Sequence, residues 1–156
     1  AWHASMQAKF FTYIHVVDPL IKRMGARARG VIVNVVGTGG KVAKTTHISG
    51  GAANAALMLA SAGLAAAYGP HGVRVNVVNP TVTHTERMSQ GLEAEARAQD
   101  ISVEQALELK QNQMPLRRIC TPEEVADAVV FVASPRASYV SGSVVTVDGA
   151  ADPMVV

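Results

Sequence analysis

The chain has 156 residues, 49% hydrophobic and 17% charged, with a net charge of +2 when histidine is neutral. That length and balance describe one globular domain with a core of its own rather than a disordered segment. Lys and Arg are scattered, with no run of five or more, which argues against an electrostatic footprint for nucleic acid or an anionic membrane.

Aromatic residues make up only 4% of the chain, so the core must rely on small and branched aliphatic side chains. The single cysteine, Cys120, excludes an internal disulfide; a reducing compartment fits, and a cytoplasmic location is expected. The longest apolar stretch, residues 52–67, is broken by Asn54. It reads as too short and too weakly apolar to cross a bilayer, and no signal peptide is recognised. Ala1 falls inside what reads as a helix, so a longer protein is expected.

In chain order, residues 6–24 place Phe10, Tyr13, Ile14, Val17, Leu20, Ile21 and Met24 at helical spacing. Pro19 is expected to bend or weaken that helix. A polar connection at 25–30 leads to a β-branched run, residues 31–36, interrupted only by Asn34. This reads as a strand buried on both faces. A glycine-rich turn occupies 37–40. Residues 50–68 form an Ala-rich helix, stopped by Gly69, Pro70, His71 and Gly72.

Residues 73–78 are a second strand, ended by Asn79-Pro80, and residues 81–100 read as a polar loop with helical pieces. Ser102 with Gln105 is a capping box opening a helix to about Gln113. Thr121 with Glu124 repeats it, with Pro122 at the first helical position, for a helix to about Ala133. Residues 144–147 are a third strand, closed by Asp148-Gly149. Strands separated by helices imply right-handed crossovers and an α/β fold: a doubly wound parallel sheet, in one domain spanning 1–156. The first strand has no earlier strand to cover its far edge, and an open apolar edge invites aggregation; an upstream neighbour is expected.

Three segments carry a family resemblance. They are Gly30-Val-Ile-Val-Asn-Val-Val36; then Gly69-Pro-His-Gly-Val-Arg-Val-Asn76 followed by Asn79-Pro80 and Thr85; then Pro115-Leu-Arg-Arg118, Thr121-Pro-Glu-Glu-Val-Ala126, Ser141-Gly142 and Val147-Asp-Gly149. Together they resemble the second half to two-thirds of a short-chain dehydrogenase/reductase domain. The resemblance implies a Rossmann-like fold, here partial, because the N-terminal strands and the glycine-rich loop that seats the cofactor pyrophosphate are absent. Gly37-Thr-Gly39 does not supply that loop, since Val42 stands where a third glycine is needed. Gly40-Lys41 is followed by Val42, and position 35 is Val, so it is no phosphate-binding P-loop either.

Members of this family carry Asn, Ser, Tyr and Lys at the site of reaction. The Tyr phenol exchanges a proton with the substrate oxygen, and a nearby ammonium lowers its pKa toward the working pH. Counting back from Gly72-Val-Arg-Val-Asn76 by the family's spacing, the Tyr position falls on Gly50, the Lys position on Asn54, the Ser position on Gly37 and the Asn position near Lys9. All four differ from the family pattern, and no Tyr-x-x-x-Lys occurs anywhere in the chain.

Two readings follow. In one, the site has lost its chemistry, since glycine has no hydroxyl to exchange a proton. Lys9 is then a surface residue, His47 braces the turn, Asn54 is satisfied within its own helix and Thr38 stabilises the turn. In the other, Lys9 and Asn54 have exchanged residue types between the two helices. Lys9, Thr38, His47 and Asn54 then form a rewired polar site in which histidine, which titrates near neutrality, takes part in proton transfer. His71 and His84 are expected to face solvent, and the five histidines show no pairing with carboxylates that would indicate a metal site.

The resemblance also implies an NAD or NADP cofactor, contacted by Asn34, Pro80, Thr83 and Thr85 and requiring the N-terminal half. Thr81 replaces the glycine usual after that proline. The region between Thr85 and Leu116 corresponds to the family's substrate loop, and its Met88, Leu92, Ile101 and Met114 point to a lipophilic or mixed small-molecule substrate. The expected activity is oxidation or reduction at an alcohol or carbonyl. The alternative is an inactive cofactor-binding or scaffold homologue. Under either, Ala55, Ala56, Leu59, Ala62, Gly63 and Ala66 suit close helix contact in a homodimer or homotetramer.

Overall fold

The computed structural model describes residues 1–154. A helical N-terminal segment comprises α1 (Trp2–Ser5), a π-helical stretch (Met6–Phe11) and α2 (Thr12–Ala26). Strand β1 (Gly30–Val35) follows, then two short 3-10 turns (Thr38–Gly40 and Thr45–His47) and the long helix α3 (Ile48–Tyr68). Strand β2 (Val73–Pro80) leads into α4 (Glu86–Gln99), α5 (Val103–Gln113), α6 (Pro122–Ala133) and strand β3 (Val144–Val147). The sheet is parallel throughout, in the order β1-β2-β3.

β2 is central and buried along its length, and its two faces meet different partners. Val73 and Val75 pack with Ile21 and Ala65, and Val77 packs with Val36, Leu57 and Met58, so the odd positions face α2 and α3. The even positions are tied to the other side. Arg74 donates to the carbonyls of Val132, Ala133, Ser134 and Val140. Asn76 donates from Nδ2 to Val140 O (2.8 Å) and accepts at Oδ1 from Ser143 N–H (3.0 Å). A strand covered on both faces must hydrogen-bond the polar side chains it buries, and in the Val-rich β2 Arg74 and Asn76 do so.

Both capping boxes form, at Ser102/Gln105 and Thr121/Glu124, and α6 and β3 fall where the sequence places them. Four expectations need correction. Helix α2 continues without a break past Pro19, and an irregular π-helical turn lies upstream, at Met6–Phe11. β1 is not buried on both faces: residues 31–33 are half-buried and Val35 is 40% exposed, as one of its edges carries no strand among the described residues. The polar stretch after β2 is mostly helix. Thr85 caps α4 by accepting from Met88 N–H, and Leu92, Ala96 and Ala106 bury one another between α4 and α5, with Met88 and Ile101 packed on them. Met88, Leu92 and Ile101 therefore serve a small helical core, while Met114 lines a separate cavity with Leu116. Finally, the run Thr45–His71 is long and apolar enough, by length and composition, to cross a membrane, but 44% of its most apolar window is buried within the domain, where Ala53, Leu57 and Ala65 supply core packing.

Candidate active site

The strands are parallel, so the segments leaving their C-terminal ends gather at one edge of the sheet. In open α/β folds ligands bind beyond that edge. The chain leaves β1 through the Gly37–Gly40 turn and leaves β2 through Pro80–Thr85.

At the first of these exits the sequence brings two segments into unusually close approach. A Cβ added to Gly51 would lie 2.5 Å from the Gly39 carbonyl oxygen, so the turn after β1 rests directly on the backbone of α3. A Cβ added to Gly50 would overlap the imidazole of His47. The His47 ring thus occupies the space into which a side chain at position 50 would grow. His47 is the last residue of its 3-10 turn and stands at the N-cap of α3 without capping it by side chain.

Lys9 reaches the same ring from the other helix. Its Nζ lies 3.3 Å from His47 Nε2. Lys9 belongs to the π-helical stretch, and such local widening of a helix is common at functional sites because it re-aims a side chain. Two further bonds hold this helix in place: Ser5 Oγ and Ser49 Oγ are 2.9 Å apart, and Tyr13 donates its hydroxyl to Val35 O (2.9 Å). Periodicity marked Tyr13 as apolar packing and passed over both serines; no local sequence signal identifies a bond between residues this far apart.

Asn54 is buried and donates from Nδ2 to the carbonyl of Gly37 at 3.2 Å. Its partner is therefore the turn after β1 and not its own helix. The structure gathers Lys9, His47, Gly50, Asn54 and Gly37 into one neighbourhood. Thr38 is set apart: it is buried, its carbonyl accepts from the N–H groups of Lys41 and Val42, and among the described residues no hydrogen bond joins its hydroxyl to Lys9, His47 or Asn54. A cavity of about 440 Å³ opens beside His47, lined also by Lys41, Lys44, Ile48 and Ala52.

At the second exit, the backbone after Pro80 is pinned by a bridge between Thr83 and Cys120 and by His84 N–H donating to Cys120 O (2.8 Å). Thr83 Oγ1 donates to Thr81 O. Thr85 is exposed and uses its oxygen to accept from Met88 N–H, leaving its hydroxyl proton free to donate outward. Asn34 does not join these residues. It is buried in mid-strand, and its Nδ2 donates to Ser61 Oγ (2.9 Å), which in turn donates to Leu57 O (2.7 Å); the cofactor contact expected of it is replaced by a structural bond. His71 and His84 are exposed.

Fold and site together define a doubly wound α/β domain whose polar residues meet beyond adjacent parallel strands. A family model described as enoyl-(acyl carrier protein) reductase matches residues 1–150. The chain is 31% identical over 146 residues to an NADPH-dependent reductase, BacG, of Bacillus subtilis, covering 94% of this chain and 56% of that protein. It is 35% identical over 129 residues to a cis-4-hydroxycyclohexanecarboxylate dehydrogenase of Sinomonas cyclohexanicum, covering 83% and 47%. A solved oxidoreductase of the short-chain dehydrogenase/reductase family from Burkholderia thailandensis superposes with a TM-score of 0.82 at 33% identity, covering 96% of this chain and 56% of that one. The chain belongs to the short-chain dehydrogenase/reductase family, whose members are NAD(P)-dependent oxidoreductases, and its fold is the matching part of their Rossmann-like sheet. It spans about half the length of the relatives it matches.

Proposed function

We propose that the chain contributes to an NAD(P)-linked oxidoreductase that interconverts an alcohol and a carbonyl compound through a rewired proton-transfer site. The observation that carries this reading is the placement of His47: its ring fills the side-chain space of Gly50, and Lys9 Nζ lies 3.3 Å from its Nε2. In the reading, Lys9 and His47 exchange a proton with the substrate oxygen, and Asn54 holds the turn that walls the site. The bound dinucleotide would accept or supply the hydride. Pro80, Thr83 and Thr85 are the residues of this chain placed to hold its nicotinamide end, with NAD and NADP both compatible.

The names of two relatives, an NADPH-dependent reductase and a dehydrogenase of a cyclic hydroxy acid, support a small alcohol or carbonyl substrate. The test is turnover on a carbonyl panel with NADH or NADPH by the full-length protein that contains this chain, unchanged and as Lys9→Ala and His47→Ala. The reading requires both variants to lose at least roughly a hundredfold; unchanged turnover in both would sink it. A non-enzymatic role is the second reading, favoured by the absence of any hydroxyl at positions 37 and 50. We also place the protein in the cytoplasm as a homodimer or homotetramer joined through α3. The exposure of Leu59, 77%, supports that face, and light scattering of Leu59→Glu, expected to be monomeric, tests it.

A further inference from the structure

The cavity beside His47 has a one-sided charge. Lys41 and Lys44 line it, and no Asp or Glu does. The ion pairs among the described residues use Lys22, Arg97, Lys110 and Arg118, so neither Lys41 nor Lys44 is neutralised by a carboxylate there. Lys41 Nζ is 3.3 Å from Thr146 Oγ1, a neutral hydroxyl on β3 that does not itself line the cavity, so this bond leaves the ammonium's charge uncancelled. Lys9 adds a third ammonium at His47. Lys41 and Lys44 on one cavity wall, with no acid among its lining, leave positive charge there that a bound anion would offset. The remaining wall is apolar, from Ala43, Ile48 and Ala52. A cavity of about 440 Å³ lies within the range of small-molecule sites.

We infer that this cavity takes a small molecule with an apolar body and a carboxylate, the carboxylate held by Lys41 and Lys44. The inference deepens the alcohol/carbonyl reading by naming the substrate class, and it rests on that reading only for the location of the reacting oxygen near His47.

Calorimetric titration at low salt tests it, with cyclohexanecarboxylate, its neutral analogue cyclohexylmethanol, and inorganic pyrophosphate as probes. The carboxylate should bind at least about tenfold tighter than the alcohol, with the advantage shrinking as salt screens the lysines. Lys41→Ala/Lys44→Ala should erase the advantage, with circular dichroism confirming an unchanged fold. Failure of the carboxylate to bind, equal affinity for the alcohol, an advantage that survives in the folded double variant, or pyrophosphate binding as tightly as the carboxylate would each overturn it. Lysine-dependent carboxylate binding in a protein that turns over no carbonyl would leave this inference standing and remove the catalytic reading instead.

Discussion

The imidazole of His47 occupies the space that a side chain at Gly50 would need, so a larger residue at 50 requires the His47 ring to move. At the position where the family resemblance calls for tyrosine stands glycine, and a ring from three residues upstream reaches the same volume. Gly50→Ala should therefore displace His47 and break its approach to Lys9. In an NMR spectrum, a cross-relaxation peak between the His47 Hε1 proton and the Gly50 Hα protons should be present in the unchanged chain, and the ring should lose contact with residue 50 in the variant. Turnover, where present, should fall as far as it does in His47→Ala.

Asn34 and Ser61 form a buried pair that closes on Leu57 O. Ser61→Ala strands the Asn34 amide and should cost about 1–3 kcal/mol in denaturant unfolding. Replacing both, as Asn34→Leu/Ser61→Ala, removes the stranded group and should cost clearly less than the sum of the single changes. Additive losses would show that the pair is uncoupled.

Arg74 spreads one guanidinium over the carbonyls of Val132, Ala133, Ser134 and Val140, where α6 ends and the chain turns toward β3. Arg74→Ala should destabilise by roughly 2–3 kcal/mol. Arg74→Lys should recover only part of that, because an ammonium cannot present the planar fork. Equilibrium unfolding of the three proteins checks the order.

Glu124 makes a two-pronged ion pair with Arg118, at 2.6 and 2.7 Å, and closes the capping box on Thr121 N–H. The hydrogen bonds from Arg118, then that from Thr121, hold its carboxyl at about 2, against an ordinary value of 4.5. A carboxyl depressed on folding stabilises above its unfolded value, and that contribution is lost as the pH falls toward about 2. Glu124→Gln keeps an acceptor for the cap and removes the titration. Its melting temperature should fall less steeply than that of the unchanged chain between about pH 4.5 and 2; identical acid limbs would contradict the assignment.

Much of the fold was legible because it rests on local rules. Thr121-Pro122 with Glu124, and Ser102 with Gln105, announce helix starts through bonds closed within one turn. The valine runs of β1 and β2 announce strands. The reading failed where distant partners decide. The polarity of 86–99 hid a helix whose buried side, Leu92 and Ala96, is narrow. The hydroxyls of Ser5 and Ser49 carry no mark of each other in the sequence.

The sequence by itself determined the element types, the caps, the parallel alternation and the replacement of the family's reacting residues, since each depends on residue type at short range. Only the tertiary structure decided that Lys9 and His47 meet, that Asn54 serves Gly37, that Asn34 serves Ser61, and that Lys41 and Lys44 face a cavity without an acid. Those relationships join helices, turns and strands far apart along the chain, and packing, not propensity, sets the distances between them.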